Sequence, residues 1–277
     1  PPKHPYYKAP ENVRQAVVGY VPQQFTAKSV PEAEQLFADK LGVTCSFKGF
    51  KKANMSQIED IFKCADSHFQ MFPELKEKIK FIGTSQGRQA CYETAMYNEL
   101  IESGYSELIS AKTAKSMARR SCSAGSNCFP YRATSTRYDL NGLCFNATYQ
   151  GEKATTHLAH DVAARWHPEK CDTVKSVFDH ELGHKIDEML GELCKDADYL
   201  KIYREAESKG ADYIKQNLSE YAYHTAYFRK SNYKPQKEFI AEAWSEYLNN
   251  ENPRPIASAV GMLIKKKYDA MHNHSKP

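Results

Sequence analysis

From Pro31, PEAEQLFADKLG has a proline in its first turn, apolar residues at helical spacing and Gly42 just past its end, which predicts a short helix. VTCSFKGF alternates as a strand does. In SQIEDIFKCADSHFQMF, Ile58, Ile61, Phe62, Ala65 and Phe69 fall on one helical face, and IKFIGTS reads as a second short strand. A further helix is expected from about Gln89 to Glu107. The Ser-, Lys- and Arg-rich residues 111–137 break this periodicity and predict a lobe boundary or a long surface loop. Turn residues in LNGLCFNATYQ precede a strand near Leu143 to Tyr149. The last helix has Ile256, Val260, Leu263, Ile264 and Tyr268 on one side, with the lysines at 265–267 as its solvated face.

The chain of 277 residues is long enough to bury a substantial core. The elements divide into a mixed α and β N-terminal lobe, residues 1–110, and a second unit, residues 111–277, or run on as one continuous domain.

Charge and cysteine content narrow the function classes. A net charge of +4 is too small for a nucleic-acid partner, which calls for a concentrated basic face. The local exception is residues 111–137, with six Lys or Arg and no acid, read as an exposed basic segment. No run of eighteen apolar residues appears and the N-terminus lacks a secretory core, so a soluble chain without a membrane span is expected. The eight cysteines form no CxxC pair, which argues against a cysteine metal site. Cys64 and Cys91 fit small buried positions in helices, and only Cys122 and Cys128 lie close enough in sequence for a local bridge.

The chemistry concentrates in DTVKSVFDHELGHKIDEML. On a helix, His180 and His184 lie one turn apart on the same face and can close on one metal ion. Glu181, about 100° around the helix, stands beside the metal without binding it and can take a proton from water activated there. Phe178, Leu182, Ile186, Met189 and Leu193 form the packing stripe, opposite Val177, His180, His184 and Asp187, and Asp172 or Thr173 supplies the cap. Asp187 is a further hydrogen-bonding group for this face, or a solvated helix acid.

No histidine follows in KIDEMLGELC, so a third histidine ligand close behind is excluded. KPQKEFIAEAWSEY instead predicts a helix starting at Pro235, with Phe239, Ile240, Ala243, Trp244 and Tyr247 buried and Glu238, Glu242 and Ser245 on another face. Two glutamates a turn apart suit a His2Glu zinc site, one as ligand and the other steadying a ligand from behind. His157, His160, His167 and His224 are read as structural or exposed.

HELGHKID followed by EFIAEAW resembles the gluzincin metallopeptidases, in particular the group of the anthrax lethal factor catalytic domain and the zincin domains of phage head-associated proteins and bacterial toxins. The likeness extends more diffusely from about Pro31 to Tyr247. It implies an α+β zincin-like fold with a mixed, edge-strand-bearing sheet, two metal-binding helices and one Zn2+ per chain. It makes Glu238 the third ligand and Glu242 the group that orients His180. It also implies a tyrosine that stabilises the oxyanion, with Tyr221 the best match and Tyr227 and Tyr233 competing. GLCFN is similar to the strand along which family members lay substrate, which marks Leu143, Cys144 and Phe145.

The expected activity is zinc-dependent hydrolysis of a protein or peptide, with Glu181 as general base. A structural or delivery protein of a phage particle that keeps the fold for binding is the alternative; an intact HExxH argues against it, because binding alone needs no Glu181. The resemblance admits three settings: a phage virion, a host cytoplasm, and secretion or delivery as an effector.

Overall fold

A computed structural model describes residues 22–122, 130–134, 136–230 and 232–273. The architecture is α+β, about 65% helical, with one small mixed sheet. The chain divides into two compact units, Pro22–Lys153 and Ala154 onward. The division falls some forty residues beyond the boundary expected near residue 110.

The first unit opens with α1 (Val30–Leu41). Ser29 accepts from the Glu32 N–H at its start, and Gly42, at φ 71°, turns the chain left-handed at its end. Strand β1 (Thr44–Ser46) leads to α2 (Met55–Met71), whose predicted stripe of Ile58, Ile61, Phe62, Ala65 and Phe69 is buried. After the single-turn α3 (Leu75–Lys78), β2 (Phe81–Thr84) runs straight into α4 (Ser85–Glu102), where Thr84 accepts from the Gly87 N–H at 2.9 Å.

Helix α5 (Glu107–Ser121) corrects the expectation of a loop. Its buried face is Ser110, Ala114 and Ala118, packed on α4. Such small residues bury well but give almost no hydrophobic periodicity, so the basic outer face dominated the pattern. Because α4 and α5 pack along each other, the chain does not divide between them. Cys128 lies outside the described residues, and so does the Cys122–Cys128 bridge.

Strands β3 (Tyr131–Ala133) and β4 (Gly142–Phe145) complete the sheet in the order β1-β2-β4-β3. β2 is parallel to both β1 and β4, and β3 is antiparallel to β4. Leu143 therefore pairs with Ile82 on one side and Arg132 on the other. This corrects the assignment of Leu143, Cys144 and Phe145 to a substrate edge: β4 has both flanks occupied, and an extended peptide can add only to an open edge. Apolar alternation identified the strand but carries no information about its neighbours.

The second unit is helical. It comprises α6 (Glu152–Ala163), which begins at the division, α7 (Val174–Met189), α8 (Ala197–Ser208), α9 (Ala211–Asn217), α10 (Pro235–Asn249) and α11 (Pro255–Asn273). Two 3-10 turns, Tyr221–Tyr223 and Thr225–Tyr227, separate α9 from α10. α10 packs against α7 on one side and α11 on another. Among the described residues, no helix is long and apolar enough to cross a membrane.

Candidate metal centre

Helix α7 starts at a reciprocal cap. Thr173 accepts from the Ser176 N–H at 3.1 Å, and Ser176 accepts from the Thr173 N–H at 3.2 Å. The helix ends at Met189, so Leu193 belongs to the following 3-10 turn. Both faces of α7 are covered: Phe178, Leu182 and Ile186 are buried, and so are His180, His184 and Asp187. Glu181 is half-buried.

The partner face belongs to α10. Pro235 sits in its first turn, and Phe239, Ile240, Ala243 and Trp244 join the core. Close approach of the two helices depends on Gly183, where an added Cβ would lie 2.9 Å from the Ala241 Cα. Ser245 ties them again by donating to the Ser176 carbonyl at 2.7 Å. Glu238, Glu242 and Glu246, spaced four residues apart, all face inward and are buried.

Three donor atoms converge between these helices. His184 Nε2 lies 3.2 Å from His180 Nε2 and 3.1 Å from Glu238 Oε2, and His180 Nε2 lies 3.3 Å from Glu238 Oε2. A tetrahedral ion with ligands at about 2.0 to 2.1 Å has donor-to-donor edges of about 3.3 Å. The triangle therefore fits a small tetrahedral cation, and two imidazoles with one carboxylate suit such an ion chemically. Burial opposes charge on Glu238, but His180 and His184 beside it hold its carboxyl well below the usual range.

Glu242, one turn further along, stands behind His180, with Oε1 2.7 Å from His180 Nδ1. The same oxygen lies 3.4 Å from His167 Nδ1, and Ser219 donates to Oε2 at 2.6 Å. Burial again opposes ionisation, and the two histidines outweigh it, taking the carboxyl down to about 2. Glu242 is thus a fixed anion that leaves His180 Nε2 turned toward His184 and Glu238.

Tyr221 completes the surroundings. Its ring lies 5.9 Å from the His180 ring and 5.4 Å from Trp166. Its N–H donates to the Trp166 carbonyl at 3.2 Å, and the Glu220 N–H donates to Arg165 at 2.8 Å, so two stretches distant in sequence run together. Burial, then Glu238, Glu242 and Glu181, push the Tyr221 hydroxyl well above the phenol range, which keeps it a neutral donor. The competing tyrosines have other work. Tyr233 donates to the Tyr221 carbonyl at 2.8 Å and accepts from the His224 N–H at 2.6 Å. Tyr227 packs on Trp166 and His224.

Asp187 is buried, and its contacts run to the end of α7: it accepts from the Cys194 N–H at 2.7 Å and lies 3.5 Å from Lys237 Nζ. Its carboxylate anchors the 3-10 turn Leu193–Lys195.

Three contributors escaped the sequence reading. His167 and Ser219 both contact Glu242, and Glu246 holds Arg254. Arg254 in turn donates to the Gln216 carbonyl at 2.8 Å and to the Leu218 carbonyl, fixing the approach to Ser219 and Tyr221. The signal for Glu246 was present, since it continues the four-residue spacing of Glu238 and Glu242. His167 and Ser219 carried none, because their contact with Glu242 exists only after folding. Compared with models of protein families, with curated proteins and with solved structures, the chain finds no match.

Proposed function

We propose that this chain is a zinc-dependent endopeptidase of the gluzincin type. One observation carries the reading: His180 Nε2 and His184 Nε2, on the helix that also bears Glu181, lie buried with Glu238 Oε2 of α10 at mutual distances of 3.1 to 3.3 Å. Zinc is the ion of choice for two imidazoles and a carboxylate at tetrahedral spacing, with one ion per chain. When bound, it supplies Lewis acidity, strengthening water as an acid and polarising a carbonyl.

The chain's own residues supply the rest. Glu181 accepts the proton from the attacking water and returns it to the departing amine. The Tyr221 hydroxyl, kept neutral, donates to the oxygen that gains charge as the carbonyl is attacked. Glu242 holds His180 in the orientation that presents Nε2.

Elemental analysis combined with a casein or peptide-pool digestion tests this reading. About one zinc per chain and chelator-sensitive cleavage are expected, both lost in His184→Ala. Full zinc retention in that variant, or a zinc-loaded protein that cleaves no peptide, would overturn it.

A further inference from the structure

The stretch from Tyr221 to Glu238 begins and ends at the metal centre, which sets its two ends beside any substrate held there. Between these two residues it contains no acid but carries Arg229, Lys230, Lys234 and Lys237. Lys237 is committed, 3.5 Å from both Asp187 and Glu192. Arg229, Lys230 and Lys234 are exposed, and none of them forms an ion pair among the described residues. Of the acids that precede it in sequence, Glu220 is engaged with Lys215 and His224 and Glu207 with the hydroxyls of Tyr203 and Tyr223, while Asp212 is exposed.

The same stretch exposes an aromatic ring. Phe228 is 42% exposed and stacks on Tyr233 at 6.0 Å and 21°. Tyr233 meets Tyr221 at 5.9 Å, and Tyr221 meets His180 at 5.9 Å. Three such steps bring Phe228 within about five or six residues of extended peptide from the metal ligands. The two hydrogen bonds of Tyr233 tie its ring to the backbone of Tyr221 and His224, which fixes the platform on which Phe228 stacks.

We infer that this rim selects substrate: Phe228 receives an apolar or aromatic side chain, and Arg229, Lys230 and Lys234 select acidic residues flanking it. The inference rests on the peptidase reading of the site. Charge complementarity favours an acidic peptide over a basic one, because three cations without an ion-pair partner among the described residues repel the latter; Lys230 lies 3.4 Å over the Tyr227 ring, a contact that leaves its charge unneutralised. Exposed pairs are individually weak and screened by salt, so a combined preference of about tenfold is expected, falling as ionic strength rises.

The test uses the zinc-loaded full chain and three labelled peptides sharing a central Leu-Phe pair, flanked by glutamates, lysines or serines. Binding is read by fluorescence anisotropy and cleavage by mass spectrometry. The glutamate peptide is expected to bind about tenfold more tightly than the lysine peptide at low salt. The triple variant Arg229→Glu, Lys230→Glu, Lys234→Glu should reverse that order while keeping its zinc and melting temperature. Phe228→Ala should weaken all three peptides severalfold without changing their order. Equal binding of the three peptides, no binding of any, or a preference unaltered by the triple variant would overturn the inference. Acid-selective binding without cleavage retains it and sinks the peptidase reading; cleavage without charge preference does the reverse.

Discussion

His180 Nδ1 lies 2.7 Å from Glu242 Oε1, and this contact sets which face of the imidazole His180 turns toward Glu238. The two glutamates are one helical turn apart, about 5.4 Å, so neither can take the other's place without moving α10. Glu238→Ala should remove most zinc affinity, whereas Glu242→Ala should cost about 10- to 100-fold in affinity or activity. Titration against a competing chelator orders the two variants. A larger loss for Glu242→Ala would exchange their roles.

Glu181→Gln should keep zinc and an unchanged melting curve but lose at least about 100-fold in peptide turnover, because an amide occupies the same space yet accepts no proton. Parent-like hydrolysis by the purified variant would remove Glu181 as the base.

Gly183→Ala separates helix propensity from packing. Alanine would gain up to about 1 kcal/mol in an isolated helix, but its Cβ would meet the Ala241 Cα at 2.9 Å. Overpacking of this kind costs about 1 to 3 kcal/mol and shifts the helix that carries Glu238. Lower stability in urea and weaker zinc binding are expected together. A more stable variant with unchanged zinc affinity would contradict the tight crossing of α7 and α10.

Glu246 is fully buried, and Arg254 donates to it through Nε at 2.9 Å and Nη2 at 2.7 Å. Glu246→Ala takes the buried anion from a guanidinium that keeps only Glu169 at 3.7 Å and two backbone carbonyls, and should destabilise the fold by about 1.5 to 3 kcal/mol, measured by urea unfolding. The double change Glu246→Leu with Arg254→Met should recover part of this by removing the charge that has lost its buried partner. A single variant as stable as the parent would show that the pair does not anchor the segment before Tyr221.

Burial pushes the Cys144 thiol up to about 12, with Arg88 opposing. Iodoacetamide at mildly alkaline pH should leave Cys144 unlabelled in the native protein and label it in urea, since only the thiolate reacts. The raised value favours the neutral thiol in the fold. Its stabilising contribution is therefore complete below about pH 9, the ordinary thiol value, and is lost as pH rises toward about 12. Cys144→Ala should flatten that alkaline decline in melting temperature, and rapid native labelling would contradict the burial.

The candidate metal centre was legible because its signals are local. His180 and His184 repeat at one helical turn, and so do Glu238 and Glu242, and a helix turns that spacing into a shared face whatever surrounds it. The stripes of α2 and α11 were readable for the same reason. α5 was not, since Ala114 and Ala118 bury without a hydrophobic signature and the lysines and arginines on its other face look like a loop.

By itself, the sequence determined which side chains share a face on each helix: the imidazoles with Glu181 beside them, and the glutamates with their apolar backing. Tertiary structure alone decided what those faces meet. It brought Glu238 to the imidazoles across the Gly183–Ala241 crossing, set His167 and Ser219 on Glu242, engaged the Tyr233 hydroxyl with backbone and left Tyr221 against His180. It also gave β4 a neighbour on each side. Periodicity is a property of one element and its own geometry, whereas strand order and interhelical contacts join residues tens of positions apart, and no short-range pattern encodes those pairings.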